Sequence, residues 1–180
     1  NPPNEALQVD NRIAGFLILT ILPEELDSAT LAHTIREQSK TTAQSATPLL
    51  IEYCQIVLTT EQGNDPAIDR NCKTAAMLCL LAWIKALPSA KQLVFQSELV
   101  NSLFGYLHHS HYVSTATDVL LELFTSRTPL TALQLASATK FLVCEPPSRY
   151  LPQNSSSIGA HLFDKILELR QLFIQSVQCL

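Results

Sequence analysis

The chain has 180 residues, of which 47% are hydrophobic and 16% are charged, and it contains only 4 glycines. This apolar content excludes an intrinsically disordered chain and is sufficient for one compact domain or a run of small repeats. The formal net charge is -4 and no basic stripe is present, which argues against direct binding to nucleic acid.

We expect neither a signal peptide nor a membrane span. The first residues lack a charged region followed by an apolar one. The longest purely apolar run, Ala75 to Ile84, is shorter than the roughly 20 residues that a membrane-spanning helix needs, so it predicts a buried helix. The 5 cysteines include no C-x-x-C pair, which argues against a disulfide framework or a zinc knuckle and favours a reducing compartment.

Apolar residues recur with the period of an α-helix along nearly the whole chain, and no segment alternates for long enough to predict a strand. In the first helix one apolar face consists of Ala14, Leu17, Ile18, Ile21 and Leu22. Pro23 is predicted to end that helix. The polar segment 61–71 predicts a loop, and segment 144–157 predicts the longest irregular connection. These boundaries predict helices at about 4–22, 29–60, 71–87, 90–108, 112–126, 129–144 and 158–179.

Two segments of the chain match at an offset of 41 residues. Ala75 to Pro88 reads AAMLCLLAWIKALP, and Ala116 to Pro129 reads ATDVLLELFTSRTP, so Trp83 aligns with Phe124. Helical repeats of the HEAT and armadillo type have periods of about 40–47 residues. We therefore predict an all-α, HEAT-like α-solenoid of antiparallel helix pairs that spans residues 1–180 as a single segment. The alternative is a chance similarity between two buried helices.

Five segments occur in an order and spacing that resemble the importin-β superfamily of nuclear transport receptors, closest to its transportin-SR and importin-thirteen branch. They lie between Ile13 and Phe124. The segments are LTILPEE (Leu19 to Glu25), PLLIEYCQIVL (Pro48 to Leu58), CLLAWIKAL (Cys79 to Leu87), LVNSLFGYLHHS (Leu99 to Ser110) and ATDVLLELF (Ala116 to Phe124). In that family these segments are largely structural.

The resemblance implies a binding protein and no enzymatic activity. It implies a piece from the N-terminal half of a longer receptor, after the repeats that usually bind Ran-GTP. The curved array of such a receptor wraps a cargo protein, contacts nucleoporins and exchanges its cargo against Ran-GTP. The resemblance further implies Arg/Ser-rich or small basic cargo proteins and shuttling between cytoplasm and nucleus. No cofactor is expected.

Four charged residues are candidates for cargo binding. Asp118 and Glu122 lie four residues apart on the polar side of the helix predicted at 112–126. In a HEAT-like pair the second helix lines the concave surface, so these carboxylates could face a cargo. Arg70 and Lys73 lie at the start of the preceding second helix. The alternative for all four residues is an ordinary solvated helix face.

The sequence offers little for catalysis or metal binding. His108, His109 and His111 cluster in a predicted turn, but no carboxylate or cysteine nearby in sequence completes a ligand set. Cys144 lacks the sequence context of a nucleophile, and no glycine-rich phosphate loop is present. We therefore expect no metal and no reaction. Two alternative functions are a cytoplasmic HEAT scaffold or adaptor, and a hydrolase built on Cys144 and the histidines.

Overall fold

The computed structural model describes residues 4–26, 33–60, 65–125, 135–136, 138–144 and 156–178. These residues form α-helices and one short π-helix, with no strand among them, so the predicted all-α class is confirmed. In chain order the elements are α1 (Asn4–Leu26), α2 (His33–Thr59), α3 (Pro66–Ala86), α4 (Pro88–Gln96), α5 (Leu99–Tyr106), α6 (Val113–Phe124), the π-helix π1 (Thr139–Cys144) and α7 (Ser156–Gln178). None of the helices that the structure describes combines the length and the hydropathy that a bilayer span requires.

The first helix is longer than predicted because α1 continues through Pro23 to Leu26. A proline inside a helix has no N–H for the carbonyl four residues earlier, which is the carbonyl of Leu19. The indole N–H of Trp83 donates to that oxygen at 2.8 Å instead. A side chain from α3 thus supplies the hydrogen bond that the local sequence cannot make, and the prediction of a helix end at Pro23 was wrong.

The third helix also begins earlier than predicted. Asp65 is its N-cap, and its side chain accepts a hydrogen bond from the backbone N–H of Ala67 at 2.8 Å. Pro66 occupies the first helical position, where a missing N–H costs nothing. The segment 66–71 is therefore helical, and its prediction as part of a loop was wrong.

Two further helix boundaries differ from the prediction. The helix predicted at 90–108 is two helices, α4 and α5, separated at residues 97–98. The helix predicted at 129–144 ends as π1 in its described part. The undescribed residues of the predicted elements are 29–32, 61–64, 126, 129–134, 137, 145–155 and 179.

The chain divides into two compact units, Asn1–Val94 and Phe95–Leu180. In the first unit α1 and α2 pack on α3, and α1 also contacts α2. Most side chains of the apolar run in α3 are buried, as predicted for that helix. The ring of Phe16 on α1 stacks on that of Tyr53 on α2, with centroids 5.3 Å apart.

The apolar stripe of α1 is not the face that packs on the rest of the first unit. Leu17, Ile18, Ile21 and Leu22 are between 40% and 69% exposed. Phe16 is buried instead, and Pro23 is buried on the same side of the helix.

In the second unit α6 packs against α5 and α7, and α7 also contacts π1. Phe124 is 3% exposed and lies at the centre of this core. Its ring makes edge contacts with Phe95, Phe104 and Phe173, with centroid distances of 6.0, 6.2 and 6.2 Å. Trp83, which aligns with Phe124 in sequence, is 2% exposed within the first unit. Both aromatic residues are therefore core residues, as the 41-residue offset predicts.

Candidate functional site

The two carboxylates predicted to face a cargo protein lie on α6, in the second unit. Lys165 of α7 donates to Asp118 Oδ1 at 2.6 Å, and the two side chains are 24% and 34% exposed. Glu122 lies one turn further along α6 and is half-buried. Asp118 therefore neutralises a lysine of its own unit and is not an isolated surface charge.

The two basic candidates lie on α3, in the first unit. Lys73 is 9% exposed and forms an ion pair with Asp69, one turn earlier, at 2.8 Å. Arg70 is half-buried. Lys73 therefore offers little surface to a partner, whereas Arg70 is the more accessible of the two.

The three clustered histidines lie in the turn between α5 and α6, as predicted, and His108, His109 and His111 are all exposed. The ring of His109 contacts those of Tyr106 and Tyr112, each at a centroid distance of 6.0 Å. Within the described ranges no group of three or more His, Cys, Asp or Glu side chains could hold a metal ion. The aromatic contacts make this cluster part of the packing at the turn.

Buried thiols lie between α2 and α3. Cys54 and Cys79 are fully buried and hydrogen-bonded to each other, and Cys54 Sγ also donates to the carbonyl of Ala76 at 3.8 Å. The hydrogen bond to Cys79, together with burial and repulsion by Cys79, raises the pKa of Cys54 well above its usual value. Burial also raises the pKa of Cys72. Because a thiolate is the nucleophilic form, Cys54 and Cys72 are unreactive at neutral pH.

The hydrolase alternative rests on Cys144 and a histidine. The backbone of Cys144 ends π1, but its side chain lies outside the described residues. The histidines that the alternative requires are in the turn between α5 and α6, where the ring of His109 contacts those of Tyr106 and Tyr112.

An apolar groove lies among α1, α2 and α3. Its volume is about 360 Å³, and its lining consists of Leu19, Leu22, Gln38, Ser39, Thr42, Ala43, Ala46 and Trp83. The α2 wall carries small side chains three and four residues apart, which places them on one face of the helix. Larger residues there would fill the groove. No motif in the sequence predicts this groove, although the spacing of small residues at 39, 42, 43 and 46 is a signal for it.

Comparison with known proteins identifies the family. The family model of the exportin 1-like protein matches residues 7–120, which is more than half of the chain and includes the groove and the α5–α6 turn. Comparison with curated proteins and with solved structures gave no significant match. The chain therefore belongs to the exportin 1-like family of nuclear transport receptors, whose HEAT-like α-solenoid fold is the one that the sequence predicts.

Proposed function

We propose that this chain is a segment of a receptor that binds cargo protein and carries it between cytoplasm and nucleus under the control of Ran-GTP. The exportin 1-like match over residues 7–120 is the observation that carries the proposal. The all-helical architecture of the described residues supports it, because stacked helix pairs form extended binding surfaces. The family consists of non-enzymatic receptors, so the proposed mechanism is binding.

Cargo exchange is proposed to result from coupling between two ligands. An array of helix pairs can adopt more than one curvature, and cargo and Ran-GTP favour different curvatures. Each ligand then weakens the binding of the other by the same factor. Typical coupling free energies of about 1–3 kcal/mol correspond to roughly 5- to 150-fold changes in affinity. Nucleoporins contact the same receptor through gaps between its outer helices.

Within the superfamily we propose the transportin-SR and importin-thirteen branch, on the order of the motifs from Leu19 to Phe124. This branch implies Arg/Ser-rich or small basic cargo proteins. The net charge of -4 supports such a partner, since complementary charge raises the rate of encounter.

The proposed cargo-binding residues are Asp118, Glu122, Arg70 and Lys73. Glu122 and Arg70 are half-buried and have side-chain surface for a partner. Asp118 is already paired with Lys165, and Lys73 is nearly buried. The proposal keeps all four residues, of which Lys73 offers the least surface to a partner.

The test is a titration of the receptor that contains this chain with a fluorescent Arg/Ser-rich peptide, in the presence of Ran loaded with GTP or with GDP. We expect Ran-GTP to weaken peptide binding at least about fivefold and Ran-GDP to leave it unchanged. A Glu/Ser-rich peptide of equal length controls for binding that does not depend on charge. A cytoplasmic scaffold would bind the peptide equally in both nucleotide states, and that result would reject the proposal.

A further inference from the structure

The hydrogen-bond ladder of α1 is interrupted one turn before the helix ends. Pro23 has no N–H, so the carbonyl of Leu19 receives no bond from within the helix. One turn earlier, the hydroxyl of Thr20 donates to the carbonyl of Phe16 at 2.8 Å. Such side-chain bonds to the preceding turn often bend helices. Both features make residues 19–23 the weak point of α1.

Trp83 of α3 bridges this weak point. Its indole N–H donates to the vacated carbonyl of Leu19 at 2.8 Å, and its ring is 2% exposed. The backbone N–H of Leu87 donates to the carbonyl of Trp83 at 2.9 Å, which fixes the end of α3 beneath the indole. The bond thus joins α1, near its C-terminal end, to the last turn of α3.

We propose that this bond is a latch. It holds the C-terminal end of α1, residues 19–26, against α3, and its release lets that end move while the rest of the first unit stays folded. Three residues form the latch: Pro23 lacks the backbone N–H, Leu19 has the carbonyl that this N–H would bind, and Trp83 donates to that carbonyl instead.

Most of the described side chains at this end of α1 are exposed. Ile21 and Leu22 are 55% and 40% exposed, Glu24 and Glu25 are also exposed, and Pro23 is buried. Segments with few buried apolar contacts open locally at a lower free energy than the core of the same domain.

Opening of the latch changes the apolar groove. Leu19 and Leu22 form its α1 wall, and Trp83 forms its floor. A movement of the C-terminal end of α1 therefore moves this wall of the groove relative to α2. The latch thus sets the width of the groove. A ligand that binds the groove more tightly when the Trp83–Leu19 bond is formed favours the closed latch, and a ligand that prefers the broken bond favours the open latch. The size of the shift equals the difference in the ligand's binding free energy between the two states.

Amide hydrogen exchange of the 180-residue chain tests the latch. Trp83→Phe keeps an aromatic ring and removes the donor. We expect exchange at the amides of Glu24, Glu25 and Leu26 to become about two- to tenfold faster, with little change in the centre of α3. Pro23→Ala supplies a backbone N–H that can donate to the carbonyl of Leu19, so amide exchange at the C-terminal end of α1 should slow. Trp83→Phe should then have a smaller effect in the Pro23→Ala variant than in the wild-type protein.

Pro48→Ala is the matched control. Pro48 lies inside α2 as Pro23 lies inside α1, but it is not part of α1 or of the bond between Trp83 and Leu19. The effect of Trp83→Phe on the C-terminal end of α1 should therefore be the same with and without Pro48→Ala.

Exchange of the indole proton gives a second readout that needs no variant, because Trp83 is the single tryptophan of the chain. In the wild-type protein this proton should exchange together with the amides of Glu24 and Glu25, and faster than the amides of Leu80 and Cys79. Exchange of the indole proton in step with those α3 amides would overturn the proposal. So would a Trp83→Phe effect that is uniform over α1, α2 and α3, or one that Pro23→Ala leaves undiminished.

Discussion

Lys165 and Asp118 form an ion pair that joins α7 to α6, with Nζ and Oδ1 2.6 Å apart. The two residues are separated by 47 positions in sequence. Both side chains are partly exposed, so solvent screens the attraction between them. The pair orients two helices of one unit, and it neutralises the carboxylate of Asp118.

We expect Asp118→Asn and Lys165→Met each to lower the free energy of unfolding by about 0.2–1 kcal/mol. The loss should shrink at high salt, because an exposed pair is screened. Urea unfolding at two salt concentrations measures both effects, and the double variant gives the coupling between the two side chains. Additive losses in the double variant would show that the pair contributes nothing to stability.

Charge reversal at Glu122 tests the proposed cargo surface. In the receptor that contains this chain, Glu122→Lys should weaken the binding of a basic cargo at low salt and have little effect at high salt. Glu168→Lys on α7 is the matched control, because Glu168 is exposed and the charge change is the same. The measurement is the affinity of each variant for the basic cargo, obtained by titration at two salt concentrations. Equal losses for both would indicate a general charge effect, and no loss for Glu122→Lys would assign the residue to a solvated face.

The positions of the helices could be predicted from the sequence, but the face that each helix buries could not. In α1 the periodicity identifies the stripe that contains Leu17 and Ile18, yet these side chains are 50% and 69% exposed while Phe16 is buried. Periodicity reports where apolar residues lie on one helix. Burial depends on which neighbouring helix occupies that side, and that information is distributed over distant parts of the chain.

At Pro23 and at Asp118, a residue from a distant part of the chain supplies an interaction that the local sequence does not predict. A local rule ends α1 at Pro23, but a donor 60 residues further along the chain satisfies the carbonyl that the proline leaves unpaired. The spacing of Asp118 and Glu122 predicts a charged helix face, but Lys165 of another helix forms an ion pair with Asp118. In contrast, the start of α3 could be read locally from Asp65 and Pro66, which form an N-cap followed by a proline at the first position.

The two aligned aromatic residues should be the most costly to truncate. We expect Trp83→Ala and Phe124→Ala each to lower the free energy of unfolding by about 3–5 kcal/mol, because each leaves a cavity in the core of its unit. Leu167→Ala on α7 is the control, since that side chain is 42% exposed and its truncation should cost about 0.5 kcal/mol or less. Denaturant unfolding provides the measurement. A loss below about 1 kcal/mol for either aromatic variant would contradict its assignment to a core.

The buried thiols predict that stability falls at alkaline pH. The pKa of Cys54 is raised above the reference value of 9.0, chiefly by its hydrogen bond with Cys79, and burial raises that of Cys72. Above pH 9 the unfolded chain loses these protons while the folded chain keeps them. The unfolded state then binds fewer protons than the native state, so the free energy of unfolding decreases as pH rises. For a thiol that keeps its proton in the folded chain and loses it in the unfolded chain, the slope reaches at most about 1.4 kcal/mol per pH unit.

Urea unfolding between pH 7 and pH 10.5 tests this dependence in wild-type protein and in Cys54→Ala and Cys72→Ala variants. Each substitution removes one titrating thiol, so each variant should be less stable at pH 7 but show a shallower decrease above pH 9. The decrease that remains in each variant comes in part from the buried thiol that the substitution leaves in place. A pH profile for Cys54→Ala that runs parallel to that of the wild type would show that the Cys54 thiol titrates equally in both states, contrary to its burial between α2 and α3.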